Sequence, residues 1–192
     1  MLEIIIFVLV VTLDQITKAV FTSWLSTLPN KTFPLIEGVF SFSYVENRGA
    51  AFGMLQNMRV LFLIATLLVC GGMVYILIRE RGKMHRLMRV SLALILAGAV
   101  GNFIDRALLG YVRDMFYFEL INFAVFNVAD AAISVGATAL ILDILFFKGR
   151  KYLADKPPAG GAGEGDAENA RDGSPDGGGE APLCEGENKG EA

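Results

Sequence analysis

The chain has 192 residues, with 17 basic and 20 acidic side chains, and 54% of it is hydrophobic. Residues 1–154 carry 14 basic and 10 acidic groups while residues 155–192 carry 3 and 10, so a cationic apolar body precedes an anionic tail. An ordinary soluble domain is disfavoured, because the body has too few polar residues to cover its surface, and so is a nucleic-acid binder, because the cations lie between apolar runs and form no stripe.

Crossing a bilayer takes about 20 apolar residues in a helix. The first such run is Leu2 to Leu28, interrupted by Asp14 and Lys18. It lacks a basic leader and is too long for a cleaved signal peptide, so it reads as a retained helix. Val39 to Tyr44 alternates apolar or aromatic residues with serines, the period of a strand, and Asn47-Arg48-Gly49 follows as a turn, with a second glycine at Gly53. The second run, Val60 to Ile78, has no charge. The basic segment after it holds Arg79, Arg81, Lys83, Arg86 and Arg89 against Glu80. The third run is about Val90 to Leu109, with Asp105 and Arg106 near its end. Tyr111 to Phe118 is aromatic-rich and strand-like. The fourth run is about Phe126 to Phe147, with Asp130 near its start and Asp143 near its end, and Lys148, Arg150, Lys151 and Lys156 follow.

The positive-inside rule places both basic segments, and with four spans both termini, in the cytoplasm. Strands cannot stand unpaired in lipid, so the two strand-like segments are expected to form a small sheet at the outer interface. The fold class is therefore an α-helical membrane protein: four transmembrane helices (about 2–28, 60–78, 90–109 and 126–147), a small extracytoplasmic β-sheet and a disordered C-terminal tail. Residues 1–154 form the membrane domain and 155–192 the tail. Pro157–Ala192 has 10 Gly and 4 Pro in 36 residues and cannot bury enough apolar surface to order itself.

Candidate chemistry is narrow. The two cysteines, Cys70 and Cys184, give no disulfide framework or cysteine zinc site, and the single histidine, His85, lies in the basic segment and not beside a nucleophile. The ionisable residues inside the spans are the informative ones, since each costs about 2.5–3.5 kcal/mol at a helix centre. Asp14 and Lys18, at i and i+4, can pair on one helix face. Asn102-Phe103-Ile104-Asp105 and Asn127-Val128-Ala129-Asp130 share an Asn-x-x-Asp spacing that puts each pair on one face. Arg106 can neutralise Asp105 or hold a carbonyl. Asp143, near the cytoplasmic end, is expected to reach the interface or Lys148 as a structural group. Asp114 and Asp130 fall at similar depth. If they meet, one of them keeps a proton near neutral pH, and the pair can activate water against a peptide carbonyl. A carboxylate-using transporter and a non-catalytic assembly factor are the alternatives from the residues alone.

Five motifs in order carry a resemblance. They are Leu13-Asp14-Gln15-Ile16-Thr17-Lys18, Glu46-Asn47-Arg48-Gly49-Ala50-Ala51-Phe52-Gly53, Gly101-Asn102-Phe103-Ile104-Asp105-Arg106, Val112-Arg113-Asp114-Met115-Phe116 and Phe126-Asn127-Val128-Ala129-Asp130. Together they resemble the motif set of the bacterial lipoprotein signal peptidases, also called signal peptidase II, from about residue 10 to residue 147. The resemblance implies an aspartic endopeptidase of the bacterial inner membrane. Such an enzyme removes the signal peptide of a diacylglyceryl-modified prolipoprotein by cutting before the lipidated cysteine. It implies Asp114 and Asp130 as the catalytic pair. Asn47, Arg48, Asn102, Asp105, Arg106 and Asn127 would line or brace the substrate site, and Asp14 and Lys18 would support it. It implies no metal or cofactor, sensitivity to globomycin, and membrane lipid and prolipoproteins as partners of a monomer. The acidic tail departs from the family's compact pattern. The sheet is expected to cover the cleft, with Gly49 and Gly53 allowing it to move.

Overall fold

The computed structural model describes residues 1–49 and 58–146. Its elements are α1 (Leu2–Leu25), β1 (Thr32–Ile36), β2 (Phe40–Asn47), α2 (Arg59–Arg79), α3 (Arg86–Leu108), β3 (Val112–Phe118) and α4 (Val128–Phe146). All four helices are long and apolar enough to cross a membrane. Large apolar side chains such as Val8, Leu13, Leu67, Leu68 and Leu142 are exposed along them, as expected of helices that face lipid. The tail, Gly53, Phe147 and Lys148 lie outside the described residues, and with them much of the covering motion expected of the 47–53 segment.

The expected elements form, with shifted ends. The first helix stops at Leu25, short of Leu28, because Leu28 precedes Pro29 and takes extended angles (φ −92°, ψ 150°). The third helix begins at Arg86, four residues before its apolar run. The fourth begins at Val128, because Phe126 pairs with Phe116 as an isolated bridge. A strand the sequence did not announce, β1, contains Pro34 and sits at the sheet edge, where a missing N–H does least harm. The sheet order is β1-β2-β3, antiparallel throughout. Gly38, at φ +71°, closes the turn between β1 and β2 through a bond from the Val39 N–H to the Ile36 carbonyl.

The sheet rests on one end of the helices. Leu25, Tyr44 and Met115 form its buried core, with Phe21, Phe42 and Phe116 against them. The tilted rings of Phe21 and Phe42 meet at 4.8 Å, and those of Trp24 and Phe33 at 5.1 Å, which fastens the sheet to the last turns of α1.

Glycines let α3 and α4 approach closely. A methyl group on Gly136 would lie 2.8 Å from the Ser91 carbonyl, and one on Gly101 would lie 2.6 Å from a carboxylate oxygen of Asp14 and 3.2 Å from Ala129. Small residues at such contacts are the usual means of packing helices in lipid.

At the opposite end, Asp143 is fully buried and meets the His85 Nε2 at 2.7 Å. Lys148, the side-chain partner expected for Asp143, lies outside the described residues. His85 is the residue just before α3, and the glycine-tight packing of α3 on α4 holds Asp143 beside it. Glu3 at this end takes Arg89 at 2.7 Å and Arg81 at 3.3 Å.

Gly101→Ala should lower stability in detergent by about 1–3 kcal/mol, the usual cost of overpacking. Gly72→Ala, where nothing lies within 4 Å, should not. Thermal unfolding of the two variants checks this; equal melting temperatures would contradict the tight fit at Gly101.

Candidate active site

A cluster of polar side chains is buried where α1, α3, β3 and the start of α4 meet, and local chain geometry builds each part of it. Lys18 is fully buried, one turn from Asp14. Its ammonium finds three acceptors: Asp14 Oδ2 at 2.9 Å, Asn102 Oδ1 at 3.0 Å and Asp105 Oδ2 at 3.5 Å. An ammonium has three donors, so none is left unpaired. Asp14 also accepts the Ala129 backbone N–H at 2.9 Å through Oδ1, in the first turn of α4, where a carboxylate is favoured.

Asn127 caps α4. Its Oδ1 accepts the Asp130 N–H at 2.9 Å, while Asp130 Oδ2 accepts the Asn127 N–H at 3.2 Å. This is a reciprocal capping box, and it accounts for the Asn-x-x-Asp spacing. The Asn127 amide nitrogen then donates to Asp114 Oδ1 at 2.6 Å and to Asn102 Oδ1 at 3.1 Å. Asn102 donates to Asp130 Oδ1 at 2.7 Å. Backbone pairing brings these groups into reach: the Phe126 carbonyl accepts the N–H groups of Met115 and Phe116, so Asn127 arrives beside Asp114.

Asp114 and Met115 are both buried, among different neighbours. Adjacent residues of a strand point to opposite sides. Met115 joins the apolar core, while Asp114 takes Asn127 and, at 3.0 Å, Asn47 Nδ2. Asn47 is held in turn by the Gly49 N–H at 3.0 Å, so the turn expected at Asn-Arg-Gly is an Asx turn. Asp114 and Asp130 are thus joined through Asn127 and feel each other's charge. Burial first, and Asp130 next, push the Asp114 carboxyl up to about 7, against the opposing hydrogen bonds of Asn47 and Asn127.

Asp105 is 1% exposed. Of the two roles expected of Arg106, holding a carbonyl is the one its hydrogen bond takes up. Arg106 reaches the Gly49 carbonyl at 3.3 Å and lies over the Phe62 ring at 4.8 Å, within electrostatic reach of Asp130 and Asp114. Arg113 neutralises Asp105, with Nη2 2.7 Å from Oδ1 and Nε 3.2 Å from Oδ2. Gln15 closes the ring by accepting Arg113 Nη2 at 3.1 Å and donating to Asp14 at 3.0 Å. Gln15 and Arg113 were missed as site residues. The signal was a charge count, since four aspartates at one depth need more cations than Lys18 and Arg106. Arg48 stays outside the cluster: it is exposed, pairs with Glu46 at 3.3 Å and lies over Tyr111.

Residues 6–146 match the model of the family described as signal peptidase (SPase) II. The chain belongs to the signal peptidase II family. Its relatives include a lipoprotein signal peptidase of Clostridioides difficile strain 630, 43% identical over 153 residues, which span 78% of this chain and 99% of the relative. Another, from Streptococcus thermophilus strain CNRZ 1066, is 49% identical over 113 residues, covering 59% of this chain and 73% of the relative. A bacterial membrane enzyme solved by the in meso method at 2.3 Å superposes with a TM-score of 0.68 at 33% identity, over 74% of this chain and 87% of its own. One solved at 1.9 Å gives 0.65 at 32% identity, over 75% and 92%. The signal peptidase II match takes in the sheet, α2 to α4 and all but the first turn of α1, and so contains the whole polar cluster.

The raised Asp114 carboxyl has a consequence for stability. An acid whose pKa rises on folding, here from 3.8 to about 7, binds more protons in the folded state, so stability is lost as pH climbs through that interval. Asp114→Asn removes this cost. The variant should melt above the wild type at pH 8, with the gap narrowing at pH 5. A variant that melts lower at both pH values would contradict the assignment.

Proposed function

We propose that this chain is an aspartic endopeptidase that removes the signal peptide of diacylglyceryl-modified prolipoproteins, with Asp114 and Asp130 as its catalytic pair. The observation that carries the reading is that both carboxyl groups accept hydrogen bonds from one buried residue at the sheet end of the bundle, Asn127: its Nδ2 donates to Asp114 and its backbone N–H to Asp130.

Among the described residues, each of the four carboxylate oxygens accepts one hydrogen bond: Asn127 and Asn47 on Asp114, Asn102 and the Asn127 N–H on Asp130. A carboxylate oxygen has a second lone pair, so the acids retain capacity for water and substrate. The ionised member of the pair takes a proton from the attacking water. The protonated member polarises the scissile carbonyl and protonates the departing nitrogen. The remaining proton belongs to the pair and not to one residue. Asp130 is only partly buried, which leaves a way in from the substrate side.

Orientation follows from charge. The basic residues Arg79, Arg81, Lys83, Arg86 and Arg89 support a cytoplasmic position for their end of the bundle, and on that orientation both termini lie inside and the sheet lies at the outer face of the bacterial inner membrane. There a substrate's signal helix and acyl chains reach the acids without leaving lipid. Asn102, Asp105, Asn127, Asp14 and Lys18 brace the pair. Arg106 and Asn47, bound to Gly49 from two sides, fix the turn next to it. Arg48, being exposed, is available to substrate or headgroups. The reading takes the enzyme as a globomycin-sensitive monomer.

Asp114→Asn and Asp130→Asn should each cut turnover of a lipid-modified precursor by at least 10²–10⁴-fold, roughly the contribution of positioned acid–base groups. A gel assay with purified protein in detergent measures it, and wild-type turnover in either variant would remove the pair from the mechanism. Cleavage should persist in EDTA; its loss, restored by added metal, would point to different chemistry.

A further inference from the structure

The cluster holds four aspartates, Asp14, Asp105, Asp114 and Asp130, against three cations, Lys18, Arg106 and Arg113. Fully ionised, it carries one uncompensated negative charge. A buried group of charges is most stable near neutrality, so this arrangement favours the uptake of one proton. We propose that Arg113 is a positioning residue that sets this balance: by holding Asp105 ionised, it confines the single missing proton to Asp114 and Asp130. The inference rests on the catalytic pair proposed above and adds what fixes its protonation.

The geometry is specific to an arginine. Its fork places Nη2 and Nε on the two oxygens of Asp105, at 2.7 and 3.2 Å, and its own backbone N–H adds a third bond to Oδ2 at 2.9 Å. Asp105 in turn keeps the guanidinium protonated. Arg113 directly precedes Asp114, and its carbonyl accepts Asn127 Nδ2 at 3.4 Å. One residue thus ties down the strand position of one proposed catalytic acid and the electrostatics of both.

The charged and titratable groups facing this arrangement are few. They are Asp14 and Lys18 on α1, Asp105 and Arg106 on α3, Tyr44 on β2, Asp114 on β3 and Asp130 on α4. The nearby Glu46–Arg48 pair is internally neutral and exposed.

Rates of precursor cleavage against pH test the inference. Removing a cation favours protonated acids, so in Arg113→Met both limbs of the profile should move to higher pH, by about one unit, at the low end of what an adjacent charge does to a carboxylate. Asp105→Asn removes an anion and should move them to lower pH by a similar amount. The double variant Asp105→Asn/Arg113→Met should return the midpoints toward the wild type. Arg113→Lys, which keeps the charge and loses the fork, should leave the midpoints in place while kcat falls. Midpoints unmoved in Arg113→Met, or displaced in the same direction in Arg113→Met and Asp105→Asn, would overturn the proposal. Should Arg113→Met fail to fold, an unshifted Asp105→Asn profile overturns it instead. Activity in Asp114→Asn or Asp130→Asn would sink the catalytic pair itself; inactive variants with an unmoved Arg113→Met profile would sink only the role of Arg113.

Discussion

Burying charge at the edge of a membrane is the constraint around which this structure is organised. Lys18 and Asp14 are entirely removed from solvent, and Asp105 and Asp114 nearly so. Uncompensated, each would cost several kcal/mol. The fold answers with short contacts from every element that reaches the site. The ammonium of Lys18 ties α1 to α3, the carboxylate of Asp14 ties α1 to the first turn of α4, and Arg113 ties β3 to α3. These same contacts hold the helices together in a medium where apolar burial offers little drive between them. The polar network therefore does two jobs, assembling the end of the bundle and positioning the acids.

The apolar parts of the chain serve that arrangement. Close approach of α3 to α4 depends on Gly98, Gly101 and Gly136, and without it Asn102 would not reach Asp130. The Phe116–Phe126 bridge sets where α4 begins, and with it the place of Asn127. The aromatic contacts of Phe21 and Trp24 with the sheet hold β2 and β3 over the ends of the helices, so that Asn47 meets Asp114. Local helix capping, tertiary packing and the proposed chemistry converge on Asn127, which is at once an N-cap, a hydrogen-bond donor between helices and the bridge between two acids.

Much of this could be read from the residues. Hydropathy located the four helices to within four residues at each end, because lipid-facing sequence leaves few alternatives. Spacing foretold the Asp14–Lys18 pair, and five ordered motifs pointed to the signal peptidase II family. Partners across elements were harder. Arg106 was expected on Asp105 or on a carbonyl, and it takes the Gly49 carbonyl, since neighbours on a helix diverge by about 100°. The guanidinium that binds Asp105 comes from a strand. His85 does lie in the loop before α3, as its basic neighbours suggested, and only the fold reveals the buried carboxylate beside it. The strand β1 was hidden by Pro34, tolerated because the edge asks for no ladder bond at that position.

In the proposed mechanism Asp114 and Asp130 hold one proton between them at neutral pH. Infrared difference spectra of the purified protein, with aspartate carbons isotopically labelled, observe a protonated carboxyl group directly. A labelled carboxylic-acid band should be present at pH 7 and absent from both Asp114→Asn and Asp130→Asn. A spectrum showing both carboxyl groups ionised at that pH, or a band that survives in both variants, would rule out a shared proton.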